Sequence, residues 1–289
     1  MHLILTISLL IDAIILRIVS FGVRHVWRRG LRSVLGAALA AGVAAAGSAG
    51  PLRAADAIGE NQAKPHAELY SGAEAFRHAW SLYSGATLAP FGGLLEDGLR
   101  LRVTGGYGAY SYSGLRAFGT ISHMVDFDGK AAFADLLIGY HQQLGPLTLK
   151  VFGGVTASQH QITPDDPETA IRGRGVGGKA VLEAWWDMTE RTWTTLDLSW
   201  ASLHDSYSAR ARLGWRFTPA LSAGLEAGAG GNLEADVARL GAFVRYEWAS
   251  GEFTVSGGLA NDSLLADVGN PRTLDASVPY ATVSWLTRF

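Results

Sequence analysis

The sequence predicts an all-β protein: a transmembrane, antiparallel, up-and-down β-barrel of about 12 strands, preceded by an N-terminal signal region. Three observations predict this fold. Segments of roughly ten residues or more alternate between apolar and polar positions. Short and long connections between these segments alternate along the chain, and the last segment ends on an aromatic residue, Phe289. Barrels of the bacterial outer membrane have short periplasmic turns, longer extracellular loops and aromatic girdles at both interfaces.

The composition favours the same class and excludes several others. The 289 residues include 36 Gly, 9 Trp and 9 Tyr, and 17% are charged, against about 25% in soluble domains. The absence of Cys excludes a disulfide scaffold and thiolate metal sites. A formal net charge of −2 gives no indication of a nucleic-acid partner. We expect no cofactor and no metal.

The first part of the chain has the order of a secretory signal. A basic stretch at 23–32 precedes an apolar run at 34–46, and small residues follow as far as a candidate cleavage site at 55–57. The apolar run is shorter than the roughly 20 residues that span a bilayer. An earlier apolar stretch, 3–19, is either a membrane helix or an extension from a misassigned start, and its charged Asp12 and Arg17 favour the extension.

These features divide the chain into three parts. Residues 1–57 are assigned to a signal region that is removed from the mature protein, and residues 58–66 to a short periplasmic lead-in. Residues 67–289 are assigned to an outer-membrane β-barrel. A closed barrel satisfies every backbone hydrogen bond within lipid and leaves no exposed sheet edge.

The strand pattern is clearest at 207–217. There aromatic and small apolar residues share one face, whereas Arg210, Arg212 and Arg216 share the other. This pattern suits a barrel with lipid outside and a wet lumen better than a soluble sandwich, whose apolar face needs a second sheet. The predicted strands, in chain order, are 67–76, 78–90, 98–113, 127–143, 146–159, 174–187, 191–203, 205–217, 220–230, 236–248, 252–262 and 277–289.

The connections give the expected orientation. If both ends of the barrel are periplasmic, the long connections 114–126, 160–173 and 263–276 are all extracellular, and short turns such as 144–145 are periplasmic. The last strand places Val283, Trp285 and Phe289 on its apolar face, and we expect this terminal strand to close the barrel. Trp186, Trp200, Trp215 and Trp248 are assigned, with Trp285, to an aromatic girdle at the lipid interface.

The polar faces of the strands place charges of both signs in the lumen. One interpretation, which we favour, is an ion-pair network that plugs a narrow barrel; the other is a polar passage or cup for a sugar chain. Glucan binding generally needs aromatic platforms, and Trp185 and Trp193 are the inward candidates. The expected lumen-facing charges are Arg100, Arg102, Asp135, Lys150, Lys179, Glu183, Asp197, Arg210, Arg212, Arg216, Glu226, Arg239, Arg245 and Glu247.

Several stretches also carry a resemblance to a known family, namely 99–112, 134–140, 147–155, 160–167 and 207–214. In their order and spacing they resemble the alphaproteobacterial cellulose biosynthesis protein BcsS family, over roughly residues 65–289. No catalytic motif belongs to the resemblance. It implies a role in cellulose biosynthesis, export or assembly at the outer membrane of a Gram-negative bacterium. The partners it implies are outer-membrane lipid and either cellulose or other cellulose-synthesis components.

Two alternatives remain at this point. An outer-membrane lipid hydrolase needs a nucleophile and a base within hydrogen-bond reach; the nearest set is the turn 203–206, whose neighbouring side chains point in different directions. No Gly-x-Ser-x-Gly elbow occurs, so we expect no catalytic residues and no enzyme. The acidic loop with Asp165, Asp166 and Glu168 resembles a Ca²⁺ ligand set, but a solvated loop is favoured. The second alternative is a structural barrel or narrow porin without a cellulose role.

Overall fold

The computed structural model describes residues 64–118, 121–261 and 277–289, and these form one closed antiparallel β-barrel. This confirms the predicted fold class. A single 3-10 turn, Leu203–Asp205, separates β7 from β8. The strands are β1 (Ala67–Ala75), β2 (Ala79–Leu88), β3 (Gly98–Phe118), β4 (Ile121–Leu144), β5 (Leu147–Thr163), β6 (Gly173–Asp187), β7 (Thr192–Ala201), β8 (Ser206–Thr218), β9 (Leu221–Gly231), β10 (Asp236–Trp248), β11 (Gly251–Asn261) and β12 (Ser277–Arg288).

Three of the sequence-based predictions lie outside the described residues. They are the signal region at 1–57, most of the lead-in at 58–66 and the long connection at 263–276. Within the described ranges, no helix is long and apolar enough to cross a membrane.

The sheet closes where its first strand meets its last. Each strand pairs with its neighbours in the chain, and β1 pairs with β12, with Ser71 opposite Trp285. The backbone of Phe289 continues this seam, because its N–H donates to the carbonyl of Ala67 at 2.8 Å and its carbonyl accepts from His66 N at 2.6 Å. The final residue is therefore part of the closed hydrogen-bond ladder.

The two faces of the wall differ in polarity. Large aliphatic side chains project outward, and Leu136 and Leu225 remain 59% and 63% exposed. The inward positions of the same strands hold buried polar groups such as Asp135 and Glu226. An apolar outer surface that continues around a closed sheet is typical of a barrel that crosses a lipid bilayer.

The predicted connection at 114–126 is wrong. β3 continues to Phe118 and β4 begins at Ile121, so that Gly114 pairs with Val125 within one long hairpin. The prediction ended the strands where the apolar alternation ended. Beyond the roughly ten residues that cross the bilayer, however, water solvates both faces and pairing does not need an apolar face. β5 likewise extends to Thr163, into the predicted connection at 160–173.

Many glycines lie where an aromatic ring of the neighbouring strand rests flat against the wall. A Cβ at Gly72 would lie 2.4 Å from the ring of Tyr83, and one at Gly214 would lie 2.3 Å from the ring of Trp193. Glycine is therefore required for close approach at these positions. Further pairs of this kind are Tyr110 with Gly129, Phe133 with Gly106, and Phe152 with Gly139.

Candidate functional site in the barrel lumen

An ion pair connects two strands that are not neighbours through the lumen. Arg102 on β3 binds both carboxylate oxygens of Glu183 on β6, with Nη2 to Oε2 at 3.1 Å. These strands are three apart in the closed sheet, so the contact passes through the interior. The Arg102 guanidinium also lies 3.8 Å from the ring centroid of Phe152. The guanidinium therefore pairs its charge with a carboxylate and packs its planar face against an aromatic ring.

Two more pairs cross the lumen between strands that are at least three apart in the closed sheet. Near the end that is predicted to be extracellular, Arg239 Nη1 on β10 lies 2.9 Å from Glu74 Oε1 on β1. Nearer the end that is predicted to be periplasmic, Lys150 Nζ on β5 lies 3.8 Å from Glu68 Oε1 on β1. The crossing contacts are thus distributed along the height of the barrel.

The three arginines of β8 each bind an acid on a different element. Arg210 Nε lies 3.3 Å from Asp197 Oδ2, and Arg216 Nη2 lies 2.7 Å from Asp187 Oδ1. Arg212 Nε lies 2.6 Å from Glu226 Oε2. The alternation that gives β8 one cationic face therefore places three cations in a column along the inner wall.

Glu226 collects several donors at one point. Besides Arg212, its carboxylate accepts from Tyr280 Oη at 3.2 Å and from Ser256 Oγ at 3.4 Å. The carboxylate is almost completely buried. A buried carboxylate with this many donors is a fixed part of the packing, because it cannot leave without stranding its partners.

Arg245 lies against the two tryptophans proposed as a glucan platform. Its guanidinium lies 4.4 Å from the Trp185 ring and 5.1 Å from the Trp193 ring, and Nη2 binds Glu247 at 3.0 Å. The two indoles stack on each other at 4.4 Å with an interplanar angle of 17°. Trp193 is only 1% exposed, because it rests on Gly214. In this arrangement Trp193 presents no free face to a sugar.

Arg100 differs from the other members of the predicted set. Its Nη2 donates to backbone carbonyls of the loop 89–97, at 3.1 Å to Gly93 and 2.9 Å to Leu94, and also to Glu96. No carboxylate of the described residues lies within 4.0 Å of it. His141 Nδ1 also contacts the Glu96 carbonyl, at 2.8 Å. Arg100 thus folds a loop against the periplasmic end of the lumen rather than pairing with an acid.

All other predicted lumen charges make ion pairs with one another or with acids that the prediction omitted. Lys179 Nζ, for example, lies 2.6 Å from Asp135 Oδ2. The omitted partners lie mostly on strands whose polar face had not been assigned, although the alternation of 67–76 and 252–262 would have identified most of them. They are Glu68, Glu74, Asp187 and Glu252. The prediction also omitted Arg288, which lies 4.0 Å from both Glu68 and Glu252.

A loop covers part of the opening that is predicted to be extracellular. In the connection 164–172, Asp166 is fully buried and accepts from Arg116 Nε and from Tyr112 Oη, both at 2.8 Å. The hydrogen bond from Arg116 lowers the pKa of Asp166 below its ordinary value. On the other side of the opening, Thr169 Oγ1 donates to Glu234 at 2.7 Å. The loop is therefore anchored on β3 and on the turn between β9 and β10.

These contacts also bear on the Ca²⁺ and hydrolase alternatives. Asp166 faces a guanidinium rather than the other acids of its loop, and the described residues contain no group of three or more His, Cys, Asp or Glu arranged to hold a metal ion. In the turn 203–206, Ser206 Oγ donates to the Leu203 carbonyl at 2.8 Å rather than to His204. The His204 ring instead meets the edge of His160, with centroids 5.6 Å apart.

Comparison with known proteins gives several structural similarities at low sequence identity. The KdgM porin matches with a TM-score of 0.41 and 9% identity, covering 77% of this chain and 99% of the porin. The translocator domain of the autotransporter NalP from Neisseria meningitidis matches with a TM-score of 0.43 and 10% identity, covering 81% of this chain and 92% of that domain. The TodX deltaS2S3 mutant, a monoaromatic hydrocarbon channel, matches with a TM-score of 0.44 and 9% identity, covering 78% of this chain and 91% of that channel.

Sequence comparison identifies the family. A search of curated proteins gives no match. The family model of the cellulose biosynthesis protein BcsS matches residues 68–289, which is the whole of the barrel apart from its first strand residue. The family description names a pathway and no reaction. The chain belongs to the cellulose biosynthesis protein BcsS family.

Proposed function

We propose that this barrel acts in the outer membrane during assembly of cellulose at the cell surface, and that its lumen does not conduct the polymer. The observation that carries the proposal is the set of ion pairs between strands that are not neighbours, above all Arg102 with Glu183 and Arg239 with Glu74. A glucan chain in transit would have to separate these pairs. Breaking one buried pair costs about 3–5 kcal/mol when a charge is left without its partner.

The two ends of the lumen support the same proposal. The loop 89–97 is folded against the periplasmic end by Arg100, and the loop 164–172 lies over part of the extracellular opening. A polymer would have to displace both loops in addition to the ion pairs that cross the lumen. Closure at three levels is more consistent with an assembly or anchoring component than with an export channel.

We place the contact with cellulose or its synthesis machinery on the hairpin of β3 and β4. These strands have 21 and 24 residues, whereas about ten suffice to cross the bilayer. Their outer halves therefore extend into the extracellular medium. There Leu115 and Met124 lie opposite each other and are 56% and 57% exposed. We assign the contact to this apolar pair, which lies beyond the membrane.

Gene deletion followed by complementation tests this function. We expect the deletion strain to produce less extracellular cellulose, measured as glucose released by cellulase, and wild-type protein to restore it. A variant whose hairpin residues 112–127 are replaced by a two-residue turn should not restore it. The variant Leu240→Ala, which shortens an apolar side chain within the membrane, is the matched control and should restore cellulose. Immunoblots and heat-modifiable gel mobility would show that each variant is folded and present.

Two results would overturn the proposal. Unchanged cellulose in the deletion strain would separate the protein from cellulose assembly, and an accompanying change in phospholipid or lipid A composition would favour the hydrolase. Full restoration of cellulose by the variant with the shortened hairpin would show that the hairpin of β3 and β4 is not the contact surface. It would leave the family's link to cellulose biosynthesis untouched.

A further inference from the structure

The outer wall has a depression where large apolar side chains are replaced by small ones. A groove of about 550 Å³ lies across β4, β5 and β6, lined on its outer face by Ala132, Ala134, Ala157 and Val176. Nearer the periplasm the same face of β4 carries Leu136, which projects outward. The groove forms because alanines occupy positions on this face where leucine-sized side chains stand closer to the periplasm.

Two cations border this groove on its extracellular side. Arg174 on β6 donates from Nε to Gln159 Oε1 at 3.1 Å, and both of its terminal nitrogens make no hydrogen bond to a described residue. Lys130 on β4 is exposed on the same outer face. No carboxylate of the described ranges lies within 4.0 Å of either cation. The nearest acid on that face of β4 is Asp128, two residues further from the groove.

This lack of carboxylate partners distinguishes the pair from the lumen. Inside the barrel, cations such as Arg102 and Arg212 are bound to acids. Outside, Lys130 and Arg174 have their charge available for a ligand. An unpaired cation above an apolar surface is favourable where an anion is supplied by the surroundings.

The position of the two cations corresponds to the extracellular membrane interface. On β5 the outward residues are apolar from Leu147 to Ala157, a length of about 11 residues that matches the hydrocarbon thickness. Gln159 is the first large polar residue beyond that run, and it pairs with Arg174 on β6 and with Ala132 on β4. The cations therefore lie at the level of the outer-leaflet headgroups.

We propose that this groove binds a phosphorylated lipid of the outer leaflet, with an acyl chain against the alanines and phosphate on Lys130 and Arg174. The inference rests on the outer-membrane location and on the orientation of the barrel, and not on a role in cellulose assembly. Two strand spacings and a two-residue offset put the Cα atoms of the two cations roughly 12 Å apart. Their long side chains span that distance to one phosphorylated headgroup, and the free Arg174 nitrogens suit the planar, bidentate recognition of phosphate.

Native mass spectrometry of the full barrel in detergent, titrated with bis-phosphorylated lipid A, tests the proposal. We expect one lipid to remain bound to the wild-type barrel, and the double variant Lys130→Gln/Arg174→Gln to bind it at least tenfold more weakly. The control is Arg191→Gln, which removes an exposed arginine from the periplasmic turn 188–191 and should leave binding unchanged. A lipid A preparation stripped of phosphate should bind the wild-type barrel as weakly as the double variant binds the phosphorylated form.

Several outcomes would contradict the site. Equal binding by the double variant and the wild type would show that the two cations do not hold the headgroup. Equal binding of phosphorylated and phosphate-free lipid would leave only apolar adsorption. Complete competition by millimolar inorganic phosphate would indicate a free-phosphate site. Unchanged heat-modifiable mobility of both variants would show that each result refers to a folded barrel.

Discussion

The middle of the lumen and its two ends are closed by different chemistry. In the middle, side chains of opposite charge meet across the barrel, as Arg102 and Glu183 do. At the ends, an arginine on β3 holds a loop, Arg100 through backbone carbonyls and Arg116 through Asp166. The central closure is made by ion pairs between strands, whereas each end is closed by a loop in which one guanidinium makes several of the anchoring contacts. We therefore expect substitutions in the centre to change the stability of the whole barrel, and substitutions of these two arginines to loosen one loop each.

The largest effect is expected at the centre, for Glu226→Leu. This change leaves Arg212 without its carboxylate inside the barrel, and it should lower the free energy of unfolding by about 3–5 kcal/mol. Urea unfolding in lipid bilayers, followed by tryptophan fluorescence, measures it. The double variant Arg212→Met/Glu226→Leu should regain most of the loss, because an apolar pair of similar volume replaces the ion pair. A double variant as unstable as Glu226→Leu would show that the charge is not the cause.

At the periplasmic end, Arg100→Ala should release the loop 89–97. Hydrogen bonds from a charged donor to three carbonyls are lost, and we expect the local stability of the loop to fall by about 2–3 kcal/mol. Deuterium exchange of the loop amides should accelerate while exchange in β8 stays constant. Arg100→Lys keeps the charge but not the planar array of donors, and should show an intermediate effect. Unchanged exchange in Arg100→Ala would mean that the loop is held by other contacts.

Between centre and ends, the aromatic packing gives a smaller effect. Gly214→Ala puts a Cβ where the ring of Trp193 lies, and overpacking of this kind costs about 1–3 kcal/mol. The matched control is Gly153→Ala, since no atom lies within 4 Å of a Cβ at that position. Urea unfolding of the two variants compares them directly. Equal stability of both variants would contradict the close approach of Trp193 to the wall.

The smallest effect is a pH dependence at the extracellular end. Because the hydrogen bond from Arg116 lowers the folded-state pKa of Asp166, the pair stabilises the loop 164–172 fully above pH of about 4 and less as the pH falls through the lowered value. The chain has no Cys, so a spin label on Ala170→Cys reports this loop alone. Its mobility should rise below that pH. In Asp166→Asn the mobility of the spin label should be high at every pH. If the mobility still changed with pH in this variant, the titrating group would be one other than Asp166.

The sequence predicted the inward face of each clear strand, but not the partners within the lumen. Alternation alone places Arg102 and Glu183 on inner faces, because side chains in a strand alternate between the two sides. Which of them meet depends on the tilt and stagger of the closed sheet, which a single sequence does not contain. This is why the ion pairs could be foreseen as a network but not as particular contacts.

Two further features could not be predicted for local reasons. Arg100 has the same position in the alternation as Arg102, and only the folded path of the loop 89–97 brings backbone carbonyls to it. Trp193 has the pattern of an inward, available aromatic residue, yet Gly214 on the next strand gives its ring a surface to lie on. In both cases the deciding contact comes from a backbone segment without a distinctive side chain.

Ion conductance across planar bilayers tests the closed lumen most directly. We predict no stable conductance for the wild-type barrel. A quadruple variant in which Arg102, Glu183, Arg239 and Glu74 are all changed to Ala should conduct, which would also prove that the barrel inserts. Stable channels formed by the wild-type barrel would contradict a lumen closed by these ion pairs.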